Sequence, residues 1–85
     1  MKVLALFHNQ ADPTPYLADE GKRVRELQDA GVLEQLWLRA DHSGAVVLLE
    51  AADAADARRH LATLPLVQNG IATVDVIELL LPPSG

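Results

Sequence analysis

The sequence predicts an α+β fold: one four-stranded antiparallel sheet with two helices on one face, in the order βαββαβ. Two observations carry it. The chain reads as strand, helix, strand, tight connection, strand, helix, strand, which is the ferredoxin-like split βαβ arrangement with a central hairpin. The strands are also apolar on both sides. In Ala45-Val46-Val47-Leu48-Leu49, Ala45, Val47 and Leu49 share one face and Val46 and Leu48 the other, and Val3-Leu4-Ala5-Leu6-Phe7 behaves the same way. A strand with one solvated face would alternate apolar and polar residues. Two helices can cover only one side of the sheet, so the second side also needs cover, and the expected cover is another copy of the chain.

Each element has its own signal. Residues 2–8 read as the first strand, closed by the turn-forming stretch Asn9-Gln10-Ala11-Asp12-Pro13-Thr14-Pro15. Tyr16, Leu17, Val24 and Leu27 recur at helical spacing, and Gly31 suits a left-handed stop, so the first helix is expected over residues 15–30. Residues 32–40 form the second strand, Asp41-His42-Ser43-Gly44 the connection and residues 45–51 the third strand, as a hairpin. Asp53 can cap a second helix over residues 54–64, whose Ala57, Leu61 and Leu64 share a face and which Pro65 should end. Residues 71–81 give the fourth strand. Pro82-Pro83-Ser84-Gly85 reads as an end segment or an arm onto a neighbour.

The 85 residues make a single domain, residues 1–85. A chain of this size buries only roughly 60–65% of its unfolded surface, so association would help it. There is no cysteine, which excludes a disulfide framework, a thiolate metal site and thiol redox chemistry. A net charge of -5 with scattered Lys and Arg argues against a nucleic-acid surface, which needs a clustered basic stripe. No run approaches the roughly 20 apolar residues that span a bilayer, and the first strand begins too early for a signal-peptide core. The expectation is a soluble, cytoplasmic protein with no nucleic-acid or membrane partner.

Several residues stand out as candidates for chemistry. Helical periodicity places Glu20 among Tyr16, Leu17, Val24 and Leu27, so a carboxylate faces the sheet. Burial of an unpaired carboxylate raises its pKa, which is one way to make a proton-transfer base. The structural alternative is a Glu20 that reaches solvent at the helix edge or bonds an Arg. On the second strand Gln35, Trp37 and Arg39 share one face and Leu36, Leu38 and Ala40 the other. Trp37 and Arg39 could supply an aromatic wall and a bidentate clamp for a carboxylate, or fill a dimer core with Arg39 in a salt bridge at its edge. His8 ends the first strand and His42 sits in the hairpin connection, both at strand termini where pockets open. His60, beside Arg58 and Arg59, reads as part of a solvated helix face. No histidine pair has metal-ligand spacing, and neither a nucleophile elbow nor a glycine-rich phosphate loop is present, so no metal site or nucleotide site is expected.

The ordered set Ala18-Asp19-Glu20, Leu27-Gln28 with Gly31, Leu36-Trp37, Ala40 with His42, and Leu61-x-x-Leu64-Pro65-Leu66 leading into Val74-Asp75-Val76 resembles muconolactone Δ-isomerase. The resemblance implies a dimeric α+β barrel, in which two ferredoxin-like sheets pack face to face. It also implies isomerisation of an unsaturated lactone carboxylate by proton movement between carbons, without metal or cofactor, in a homodimer or higher homo-oligomer. Glu20, Trp37 and His42 match the family pattern, and Asp75 matches in being acidic. The segment before Ala18 departs from it, and Val67-Gln68-Asn69-Gly70 makes a longer turn after Leu-Pro-Leu.

The expected roles are then Glu20 as proton carrier, with His42 as its catalytic companion, and His8, Trp37, Arg39 and Asp75 as substrate-binding residues. Arg39 would anchor a carboxylate, Trp37 would form a wall, and His8 or His42 would donate a hydrogen bond to an enolate oxygen. A polyketide-type cyclase or cofactor-free monooxygenase could use the same pocket. A non-catalytic small-molecule-binding or assembly module is the alternative from a different class, since this fold hosts many functions.

Overall fold

The computed structural model describes residues 1–83. Four strands, β1 (Lys2–Asn9), β2 (Leu33–Leu38), β3 (Ala45–Glu50) and β4 (Ala72–Leu79), form one sheet in the order β2-β3-β1-β4. Every neighbouring pair is antiparallel. The central strand β1 pairs Ala5 with Val47 on one side and with Val76 on the other. Three helices, α1 (Leu17–Asp29), α2 (Ala54–Leu61) and the short α3 (Pro65–Gln68), complete the βαββαβ order. The core lies between helices and sheet. Ala5 and Phe7 of β1 and Val47 and Leu49 of β3 are buried there against Leu27, Leu61 and Leu64, and Val3 packs in a second cluster with Ala51 and Ala57.

The alternate positions Leu4, Leu6, Val46 and Leu48 turn to the opposite face and are only partly buried. Trp37, Ile77 and Leu79 lie on that face too and are exposed. Both faces of the central strands are therefore apolar, as the alternation requires. Among the described residues no helix is long and apolar enough to cross a membrane.

Helix α1 is preceded by a 3-10 turn at Thr14–Tyr16, which carries the proline-rich lead of the predicted helix. It stops where Gly31 adopts φ 75°, the left-handed conformation glycine takes without strain. Helix α2 starts as expected, with the Asp53 carboxylate accepting the Asp56 N–H at 2.7 Å. The Glu78 carboxylate of β4 accepts the Ala54 N–H at 2.7 Å, so the first turn is held from the sheet as well.

Four local readings need correction. The second helix ends at Leu61, not at residue 64. Leu64 is extended (φ -76°, ψ 132°), and Pro65 begins α3, because a residue without N–H fits the first turn of a helix. What looked like a turn at Val67-Gln68 is thus the end of that helix, and the turn is confined to Asn69-Gly70. Strand β2 is shorter than residues 32–40 and carries a bulge between Leu33 and Gln35. The bulge lets Leu33 join Leu36 on the helix side although they are an odd number of residues apart. At the C-terminus β4 ends at Leu79, and Leu80 and Leu81 are 86% and 93% exposed. Pro82 and Pro83 have no regular structure, and the rest of the expected end segment, Ser84 and Gly85, lies outside the described residues.

Candidate active site

A cavity of about 260 Å³ opens between α1 and the sheet. Phe7 and Val47 form its floor, Leu17 and Val24 of α1 one wall, Leu36 and Leu38 of β2 another, and Leu64 and Leu66 close the side toward α3. Only part of the apolar stripe of α1 reaches the core. Leu27 is buried, whereas Leu17 is half exposed and faces the opening. The polar side chains on the cavity wall, among the described residues, are Asn9, Glu20 and His42.

Glu20 lies in the first turn of α1, where a negative charge is favoured by the helix dipole, and its side chain is half-buried toward the sheet. One oxygen, Oε1, accepts the backbone N–H of Leu66 at 2.9 Å. Leu66 is in the first turn of α3, whose N-cap residue Leu64 supplies no side-chain cap, so Glu20 does that work from another helix. Burial pushes the Glu20 carboxyl pKa above its ordinary value, and the Leu66 hydrogen bond opposes the shift in part. The second oxygen has no hydrogen-bond partner among the described residues and belongs to a residue on the cavity wall.

His42 is exposed at the cavity opening, in the β2–β3 connection, and has φ 62°. Its neighbours hold this left-handed backbone in place. Asp41 Oδ1 accepts the Ser43 N–H at 3.0 Å and the Ser43 hydroxyl at 2.6 Å, and these bonds keep the Asp41 carboxyl below the usual carboxylate range. The Asn9 N–H donates to the Ser43 carbonyl at 2.8 Å and ties the connection to the end of β1. Close contact fixes Gly44 as well, since a Cβ there would lie 1.9 Å from the Phe7 carbonyl oxygen.

The six sequence-predicted residues divide between two faces of the sheet. Glu20 and His42 both line the cavity. Trp37 pairs with Val46 on the opposite side and is 50% exposed. His8, Arg39 and Asp75 lie beyond the cavity wall as well. Arg39 Nη1 donates to His8 Nδ1 at 3.1 Å, and His8 Nε2 lies 3.2 Å from Asp75 Oδ2. A guanidinium can only donate, so these partners assign the imidazole proton to Nε2, which donates to the Asp75 carboxylate. The expectation that Trp37 stands beside Glu20 therefore fails within one chain, because Leu36 and Leu38 take the cavity side of β2 and alternation sends Trp37 through the sheet. Asn9 was missed, though the alternation of Val3, Ala5 and Phe7 extends to it.

An amide, an imidazole and a carboxyl of raised proton affinity around an apolar hollow can bind a small ring, take a proton from carbon and donate hydrogen bonds to a developing oxyanion. Comparison with known proteins adds the lineage. No curated protein matches the sequence. The fold is similar to that in a crystal structure of muconolactone isomerase, with a TM-score of 0.79 and 24% identity over 100% of this chain and 94% of the other. It is also similar to the 5-chloro-2-hydroxyhydroquinone dehydrochlorinase of Burkholderia phenoliruptrix AC1100 in complex with 2,5-dihydroxybenzoquinone, with a TM-score of 0.77 and 12% identity over 93% of each chain. A protein-family model described as Muconolactone delta-isomerase matches residues 8–83, a span that takes in α1 with Glu20, the β2–β3 connection with His42, and β4. The chain belongs to the muconolactone delta-isomerase family.

Proposed function

We propose that this protein moves a proton between carbons of a small enolisable lactone or ketone, with Glu20 as the proton carrier. The observation that supports this reading is a half-buried Glu20 carboxyl of raised pKa on the wall of an apolar cavity, fixed through one oxygen by Leu66 and free through the other. In a β,γ-unsaturated lactone, Glu20 takes a proton from the carbon between the carbonyl and the C=C bond. The C–H electron pair becomes the dienolate, with charge on the carbonyl oxygen. Glu20 returns a proton to the γ-carbon, and the double bond ends in conjugation with the carbonyl. No oxidant or reductant enters the balance.

His42 and Asn9 are the hydrogen-bond donors available to the enolate oxygen. General acid–base catalysis of this kind is worth about 10²–10⁴ in rate, and one oxyanion donor about 10²–10³, enough for an activated C–H bond. The test is ultraviolet detection of the conjugated product with native protein and with Glu20→Gln. Loss of catalysis with retained fold is expected. Equal rates would move the protein to the binding-module reading, and metal-free oxygen uptake with the same ligand would select the monooxygenase.

The same proposal includes a homodimer formed through the helix-free face. Leu4, Leu6, Val46 and Leu48, with the exposed Trp37, Ile77 and Leu79, make that face apolar across all four strands. Pairs of opposite charge occupy its two ends, Lys2 with Glu34 and Glu50 at one and the Arg39–His8–Asp75 chain at the other. A second copy related by a two-fold axis would present the same apolar surface in return. In such a dimer His8, Trp37, Arg39 and Asp75 would serve the interface.

A further inference from the structure

We propose that Arg23 and Thr63 are positioning residues for the Glu20 carboxylate, their hydrogen bond holding the α2–α3 connection against α1 and so keeping the Leu66 N–H on one oxygen while the other stays at the cavity. This inference rests on the proton-transfer reading and adds the residues that aim its base. Arg23 follows Glu20 by three residues on α1, so the two side chains leave the same side of the helix. Both reach the same stretch of chain. Arg23 Nε donates to Thr63 Oγ1 at 2.9 Å, and Glu20 Oε1 accepts the Leu66 N–H, also at 2.9 Å.

Within that stretch the backbone changes course. Leu64 is extended, Pro65 has no N–H, and Val67 and Gln68 both donate to the Leu64 carbonyl, which leaves the Leu66 N–H as the donor that α3 directs to α1. The Thr63 hydroxyl accepts from Arg23 and donates to the His60 carbonyl at 2.6 Å, tying the contact to the last turn of α2. Neither Arg23 nor Thr63 lines the cavity, so both act on the base through Leu66. The Leu66 bond favours the ionised carboxyl while burial opposes it. A connection that drifts from α1 loosens that bond, keeps Glu20 protonated to higher pH and lets the second oxygen leave its place on the wall. Other charged groups of the surrounding elements are turned away or paired. Asp19, Lys22 and Arg25 of α1 are exposed, Glu34 of β2 pairs with Lys2, α3 carries no charge, and His42 is the other titratable group on the cavity wall.

The experiment compares Thr63→Val and Thr63→Ser with the native chain. Valine keeps the shape of threonine and leaves the Arg23 charge in place but removes the hydroxyl, and serine restores it. Carboxyl carbon NMR should show Glu20 titrating at higher pH in Thr63→Val and at the native pH in Thr63→Ser, with faster hydrogen exchange at the Leu66 amide in the Val variant alone. With a β,γ-unsaturated lactone, kcat for deuterium incorporation from solvent should fall about tenfold in Thr63→Val with KM little changed, and the acid limb of the pH profile should move up with the Glu20 titration. Arg23→Met opens the same contact from α1 and should give the same changes at Glu20 and Leu66, so the test does not depend on one variant folding. Native Glu20 titration and native Leu66 protection in a folded Thr63→Val or Arg23→Met variant overturn the positioning role. The proton-transfer reading fails separately, if native protein exchanges the lactone no faster than buffer does, and the two NMR readouts decide the positioning role in that case too.

Discussion

Replacing Glu20 by Ala and by Gln separates its two jobs. Glu20→Ala removes the acceptor of the Leu66 N–H and leaves the first turn of α3 without a side-chain partner. A hydrogen bond to a charged group contributes about 1.5–3 kcal/mol when buried, and the half-exposed position of Glu20 places the loss nearer 1–2 kcal/mol. In a domain of this size that lowers Tm by about 5–10 °C. Glu20→Gln keeps an oxygen that can accept the same N–H and removes the ionised form.

The pH dependence then has a definite sign. Because burial raises the Glu20 pKa, the folded protein holds its proton to higher pH than the unfolded chain does. The Glu20 contribution to native stability accordingly falls as pH rises from the ordinary carboxyl value of 4.5 through the raised folded value. Glu20→Gln has no such slope, so its stability relative to the native chain should improve across that window and level off above it. Denaturant unfolding followed by circular dichroism, at fixed protein concentration and a series of pH values, measures this. A native protein that gains stability over the Gln variant between pH 4 and pH 7 would refute the placement of Glu20 in a desolvating site.

Further outcomes follow from the two faces of the sheet and the close contacts around the cavity. Val47→Asp puts a charge at a position only 2% exposed and should cost about 3–5 kcal/mol, whereas Leu48→Asp, on the other face, should leave the fold intact and dissociate the proposed dimer in light scattering. A native chain that is a monodisperse monomer would remove the dimer. Gly44→Ala should lower stability by about 1–3 kcal/mol, since its Cβ would meet the Phe7 backbone, and an unchanged Tm would show that the approach is relaxed in solution. Asp53→Ala should cost about 1 kcal/mol through loss of the α2 cap, readable by thermal melting.

The element order, the antiparallel sheet and the two-sided strands were legible because alternation in β1 and β3 is uninterrupted and Asp53 and Gly31 punctuate the helices. Helix α3 was not, because a proline inside an apolar run reads equally as a stop and as a first turn, and only the extended backbone of Leu64 decides between them. The inward aim of Glu20 followed from helical periodicity. Its partner did not, since Leu66 is 46 residues away and contributes a backbone N–H that no side-chain pattern announces. Trp37 and Arg39 drew attention as a polar departure on β2, but their strand parity, read together with Leu36 and Leu38, already placed them on the face away from α1. The Arg39–His8–Asp75 chain needed the cross-strand order β2-β3-β1-β4, because its members come from the β2–β3 connection and two non-consecutive strands.

The most direct measurement is carboxyl carbon NMR of the intact protein, titrated with and without a bound lactone. The Glu20 side-chain resonance should titrate above the ordinary carboxylate range in the free protein and shift on ligand binding, while Asp75 across the sheet stays still. A ligand that moves Asp75 and leaves Glu20 unchanged would place the binding site on the opposite face and contradict the assignment of proton transfer to Glu20.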